Sequence, residues 1–299
     1  MKTLIKLDLN KLISNKLLFL LFGLTIFSMD ERITQTLSSQ QFILYIFTEH
    51  YYLTYLMMPI FMLSIYSSLD DDMEYILIRS TSYWNYFKGK LAVYGIFSFM
   101  FVIAQFVVAF IMSIGLRSDN NFNVPNNPSY ELFGYYSQHF SSVTQAIFIN
   151  CIYMIAGLFI VSIAFFTINN FFSKKVSTKI MIIAYILMIF GLKIDKVNNL
   201  PIVFIDNYII FHRNFGYDLK LFINILTMTT VLIVVCILNK KYWNKKLKIK
   251  DIRKNKISYY KRLLFSRYNI VMICSVLILM SFWGLLKGNS SFESMNDYL

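Results

Sequence analysis

The sequence predicts an all-α polytopic membrane protein: a surface helix at the N-terminus, six core spans, a seventh apolar run, and a short charged helix between the second and third spans. Composition is the first ground for this. Of 299 residues, 57% are hydrophobic, 18% aromatic and only 15% charged, where a soluble chain carries roughly a quarter charged residues. The second is pattern: apolar runs of membrane-crossing length alternate with short polar pieces. The third is charge, because Lys and Arg fall unevenly between alternate pieces. Residues 1–240 form the membrane domain, and residues 241–299 add a basic segment, the extra apolar run and a tail.

In chain order, residues 3–14 set Leu4, Ile5, Leu9, Leu12 and Ile13 on one helical arc, with Asn10, Lys11 and Ser14 opposite. That suits a helix lying on the membrane surface, interrupted by Asp8. The basic start and following apolar run imitate a signal peptide, but LFGLTIFSMDE offers no small-x-small cleavage site, so the segment is expected to stay as the first span, Leu17–Ser28. A polar loop, Met29–His50, precedes the second span, Tyr51–Leu69. The stretch Asp70–Lys90 is too charged for hydrocarbon and suits one short helix and a turn. Leu91–Leu116 is the third span, Arg117–Ser142 a turn-rich loop containing NNFNVPNNPS, and Val143–Ile168 the fourth. Asn169–Lys179 is a short basic loop and Ile180–Leu192 the fifth span. Lys193–Lys220 mixes charge with apolar pieces. Leu221–Leu238 is the sixth span, Asn239–Arg267 is strongly basic, and Ile270–Leu286 is the seventh run.

With the N-terminus inside, 22 of the 29 basic residues fall on the inner side and 7 outside, the positive-inside pattern. A multi-pass protein of the cell membrane with a cytoplasmic N-terminus follows, with Asp70–Lys90 in the cytoplasm. The formal net charge of +13 is then an anchor on anionic lipid, and Tyr242, Trp243, Tyr259 and Tyr260 fit headgroup-level anchoring without calling for nucleic acid.

Sites for chemistry are sparse. Cys151, Cys236 and Cys274 sit in apolar runs with neither disulfide nor metal spacing. His50, His139 and His212 fall in outer loops, none at the i, i+4 spacing of a helical metal site. No GxxxxGK[ST] or GxSxG occurs, so the chain holds no nucleotide in the Walker manner and no nucleophile elbow. It is expected to be no enzyme and to bind no cofactor. Polar span residues either hydrogen-bond between helices or line a transport path, in which case Gln105, Asn150, Asn224 and Thr227 are its candidates. No Asp, Glu, Lys or Arg lies mid-span to run a proton or sodium relay.

Asp70–Lys90 reads DDDMEYILIRSTSYWNYFKGK: acids, an apolar patch, hydroxyls, aromatics, then Gly-Lys at the next span. This order resembles the first cytoplasmic loop of type-2 ABC exporter permeases, with an acidic start, a Leu-Leu-Ser/Thr-like patch, a Ser-x-Trp element and Gly-Lys. The matching residues are Glu74, Leu77, Ile78, Arg79, Ser80, Thr81, Ser82, Trp84, Gly89 and Lys90. The family's Gly-Thr before the patch and Pro after it are absent. The surface helix, six spans and outer element between the fifth and sixth also match, over roughly residues 1–240.

The resemblance implies that this stretch is a coupling helix docked into a separate ABC ATPase subunit, with Glu74, Ile76, Leu77, Arg79, Ser80, Trp84, Gly89 and Lys90 carrying the contact. ATP and magnesium belong to that partner. It implies a permease working as a homodimer or beside a second permease subunit, similar to bacterial exporters of lantibiotics and phenol-soluble modulins. Apolar, aromatic-rich spans suit a hydrophobic or amphipathic substrate, a peptide above all. The alternative is a non-transporting immunity or sensor protein binding a peptide at its outer face through 117–142 and 193–220.

Overall fold

A computed structural model describes residues 8–13, 15–34, 36–69, 82–124, 130–193, 205–216 and 219–242. Every regular element among them is helical. After a helical turn at residues 8–12 come α1 (Asn15–Thr34), α2 (Ser39–Thr48), α3 (a π-helical stretch Tyr52–Met57 continued by Met58–Ser68), α4 (Tyr83–Ser113), α5 (Tyr130–His139) and α6 (Val143–Phe171). Then follow α7 (Lys174–Lys193), the short α8 (Asp206–Ile209), a 3-10 helix (Phe211–Gly216) and α9 (Lys220–Lys241).

Three of these, α4, α6 and α9, with 31, 29 and 22 residues, are long and apolar enough to cross a membrane. At 1.5 Å per residue they reach about 46, 43 and 33 Å, against a hydrocarbon core of roughly 30 Å. Six core spans were expected. Helices α1 and α7 have 20 residues each, but α1 carries Lys16, Asp30, Glu31 and Arg32, and α7 carries Lys174, Lys175 and Lys179. Ile270–Leu286 lies outside the described residues. The outer surface of α4 exposes Phe99, Met100, Ile103, Val107 and Phe110, a continuous apolar face that water would not tolerate. This is the surface of a membrane protein.

Local chemistry explains where the helices start. Ser82 and Ser142 hold extended backbones and accept from the N–H of Asn85 and Gln145, capping α4 and α6. The third span was expected to start at Leu91; its helix starts eight residues earlier, so Tyr83, Trp84, Tyr86, Phe87, Gly89 and Lys90 belong to it and not to a loop. The expected loop Met29–His50 contains α2, opened by a Ser38/Gln41 capping box. Phe42, Leu44, Ile46 and Phe47 are buried there, where α2 packs on α4 and α6. In α3, Pro59 has no N–H to give and crowds the carbonyl four residues back. The preceding turn widens to π register, with the Met58 N–H donating to the Leu53 carbonyl.

Helices α4 and α6 form the centre, flanked by α1 and α9. Phe87, Phe97, Phe101 and Tyr94 are fully buried there, with Phe61 stacked on Phe97 at 5.5 Å and Tyr94 against Phe166 at 5.7 Å. Gly157 on α6 carries the α8 backbone: a Cβ there would collide with the Tyr208 carbonyl oxygen. Gly115, at φ +88°, turns the chain after α4 in a conformation other residues rarely adopt. The described charges divide by end. Lys11, Lys16, Lys88, Lys90, Lys174, Lys175, Lys240 and Lys241 belong to the end where α4 begins and α6 and α9 finish; this is the basic end. Arg32, Arg117, Arg213 and Lys220 belong to the opposite end, closed by α5, α8 and the 3-10 helix, which form a cap.

Candidate functional site

At the basic end the chain leaves α3 at Leu69 and rejoins at Ser82. Of the expected coupling residues, Glu74, Ile76, Leu77, Arg79 and Ser80 lie outside the described residues. What is described is how both ends of that connection are held. On one side, Asn169 at the end of α6 donates its amide to the Leu69 carbonyl at 3.4 Å. On the other, the Tyr83 hydroxyl donates to Asn239 Oδ1 at 2.8 Å, and Asn170 Nδ2 donates to the Tyr83 oxygen at 2.6 Å and to Asn239 Oδ1 at 3.0 Å. Asn239 Nδ2 donates to Thr167 Oγ1 at 2.9 Å. These buried side chains join α4, α6 and α9, with Asn170 Oδ1 left without a hydrogen-bond partner, and a buried polar network of this kind fixes the geometry of the helices it links.

Trp84, Gly89 and Lys90 occupy the first turns of α4. The Lys88 and Lys240 ammonium groups approach the Trp84 ring at 5.7 and 5.8 Å, so the indole bridges α4 and α9. Lys90 is 2% exposed and pairs with Asp8 at 2.9 Å. The carboxylate that interrupts the apolar arc of the N-terminal segment thus neutralises a lysine buried in α4. The same segment touches α3 where the Ser67 hydroxyl donates to the Lys11 carbonyl at 3.4 Å. Trp84 and Lys90 are therefore engaged within the chain.

The four path candidates are not joined to one another: among the described residues, no hydrogen bond links any two. Gln105 accepts from the Tyr52 hydroxyl at 2.6 Å and donates to the Phe101 carbonyl at 2.9 Å. Asn150 accepts from the Tyr136 hydroxyl at 2.9 Å. Asn224 donates to Asn214 Oδ1 at 2.6 Å, and Thr227 bonds to the Ile223 carbonyl of its own helix at 2.8 Å. Asn150 and Asn224 hold the cap from below.

The cap contains a second polar cluster that no local motif announces. His50, at the junction of α2 and α3, meets His212 of the 3-10 helix with Nε2 atoms 3.4 Å apart and ring centroids 4.7 Å apart. Asp206 is fully buried. Burial pushes its carboxyl upward, while Arg213 and Lys220 pull it back. Burial, helped by Arg213, lowers His50 to about 4, and burial, His50, Arg213 and Lys220 hold His212 well below the usual imidazole range. Both rings are neutral near pH 7. Among the described residues no three His, Cys, Asp or Glu side chains gather as a metal site. The sequence separation of the pair, 162 residues, hid it; the only signal was that both histidines fall in segments assigned to the same side of the membrane.

Comparison with protein-family models, curated proteins and solved structures finds no match to this chain.

Proposed function

We propose that this chain is the membrane-spanning subunit of an ATP-driven exporter, with residues 70–81 forming the docking element for a separate ATPase. One observation carries the reading: the connection between α3 and α4 is fastened at both ends to the last turn of α6, through Asn169 to Leu69 and through Asn170 to Tyr83. A push on it is passed at once to α3, α4, α6 and, through Asn239, to α9. The order of residues in Asp70–Lys90, which resembles type-2 ABC exporter permeases, supplies the partner's class, and the lysines gathered at this end support a cytoplasmic location.

In this reading α1, α3 and α7 complete six core spans, and two such subunits enclose a path for an amphipathic or hydrophobic peptide. Charge reversal at Glu74 and Arg79 abolishes recovery of an ATPase with the purified protein while membrane insertion persists; unchanged recovery overturns the docking role. Export or resistance also requires ATP and survives collapse of the proton gradient. The competing reading, a peptide-binding immunity or sensor protein, draws support from the cap, which joins parts of 117–142 and 193–220. Such a protein protects cells when expressed without any ATPase.

A further inference from the structure

The cap touches the α2–α3 junction through a contact that depends on protonation. We propose that His50 and His212 form an acid-sensitive latch: as neutral rings they tie the start of α3 to the cap, and proton uptake below neutral pH releases the cap and opens this end of the bundle.

The geometry explains the sensitivity. In the neutral pair one Nε2–H donates across the 3.4 Å gap to the other Nε2. Both Nδ1 atoms are buried without a hydrogen-bond partner. The accepting ring already holds its proton on Nδ1, so a first added proton goes to the donor ring's buried Nδ1, where it finds no acceptor, and a second, on the accepting Nε2, leaves two Nε2–H donors facing each other. Buried, unsatisfied polar groups of this kind oppose the closed arrangement. The rings as a whole are only partly buried, so solvent protons reach them.

The surrounding charges weigh the same way. Arg213 on the 3-10 helix and Lys220 at the start of α9 oppose further positive charge. Tyr136 on α5 lies against His212, with ring centroids 6.2 Å apart, and is neutral near pH 7, as burial raises its hydroxyl. His139 on α5 stacks on Phe215 at 4.3 Å. Glu49, beside His50, is engaged with the Tyr45 hydroxyl. Asp206 on α8 titrates in the opposite sense: protonated, it relieves the burial of its own charge and steadies the closed cap.

The sign follows from linkage. An imidazole free of the latch titrates near 6.5 and His50 within it near 4, so the open form binds more protons between these values. The closed form is fully favoured above about pH 6.5 and loses ground as pH falls toward 4, by about 30-fold at pH 5 for one imidazole of this shift.

Hydrogen exchange of the full-length protein in lipid nanodiscs tests the latch. After correction for intrinsic rates, amides of 205–216 exchange about 30-fold faster or more at pH 5 than at pH 7.5, while those of 91–113 do not change. In H50Q/H212Q the acid response disappears or, through Asp206, reverses. If that variant fails to fold, H50Q alone halves the logarithm of the rise. An unchanged rate for 205–216 in the wild type overturns the latch, as does an equal rise in the double variant or a uniform rise across the whole chain.

Discussion

Position 90 puts a lysine inside a helix bundle, and position 8 puts an aspartate where a surface helix wants an apolar residue. Each is unfavourable alone and the two are resolved by one ion pair at 2.9 Å, with Lys90 2% and Asp8 12% exposed. Removing one member of such a pair leaves a buried charge uncompensated, at about 3–5 kcal/mol. Asp8→Asn is therefore expected to lower the melting temperature of the purified full-length protein, and Asp8→Asn with Lys90→Met to recover most of the loss. Equal melting temperatures for the single and double variants would show that the pair does not hold the segment down.

Among the elements, α4, α6 and α9 are tied at the basic end by hydrogen bonds between short polar side chains. Asn239→Leu keeps the branched outline of the side chain but deprives the Tyr83 hydroxyl and Thr167 of their partner. Unfolding measurements should record a loss of about 1–3 kcal/mol, larger than for leucine at exposed Thr229, which bonds only within its own helix. This is also where sequence reading reached its limit. The runs that became α4, α6 and α9 were legible because apolar residues accumulate without interruption. The true start of α4 was not, because Lys88 and Lys90 resemble the edge of a span until Asp8 and Trp84 are seen to absorb their charges. Helix α2 was missed because its apolar run, FILYIF, is too short to cross a membrane and sits among polar residues, although a capping box can be recognised there in hindsight. Asn170 and Asn239 carried only a faint signal, an amide just past the end of an apolar run. The His50–His212 contact carried little more, a shared side of the membrane, since nothing local requires two such distant residues to meet.

For the molecule as a whole, the division of charge between its ends makes a topological prediction. The basic end should face the cytoplasm and the cap the outside. Cysteines at exposed Ser173 and Asn123, introduced singly, should separate in labelling by a membrane-impermeant maleimide on intact cells. Asn123→Cys reacts at once and Ser173→Cys only after permeabilisation, with the wild type as the control for native cysteines. The reverse pattern would place residues 70–81 on the wrong side for an ATP-using partner and remove the basis of the exporter reading.

The Asp8–Lys90 pair has a consequence for biosynthesis. Asp8 leaves the ribosome long before Lys90, and at roughly 5–20 residues per second the interval is several seconds. Over that interval α1 and α3 are made while the N-terminal segment still lacks its counter-charge. Its final seat on the bundle cannot be taken until α4 arrives, so the turn that carries Asp8 is made early and settles late.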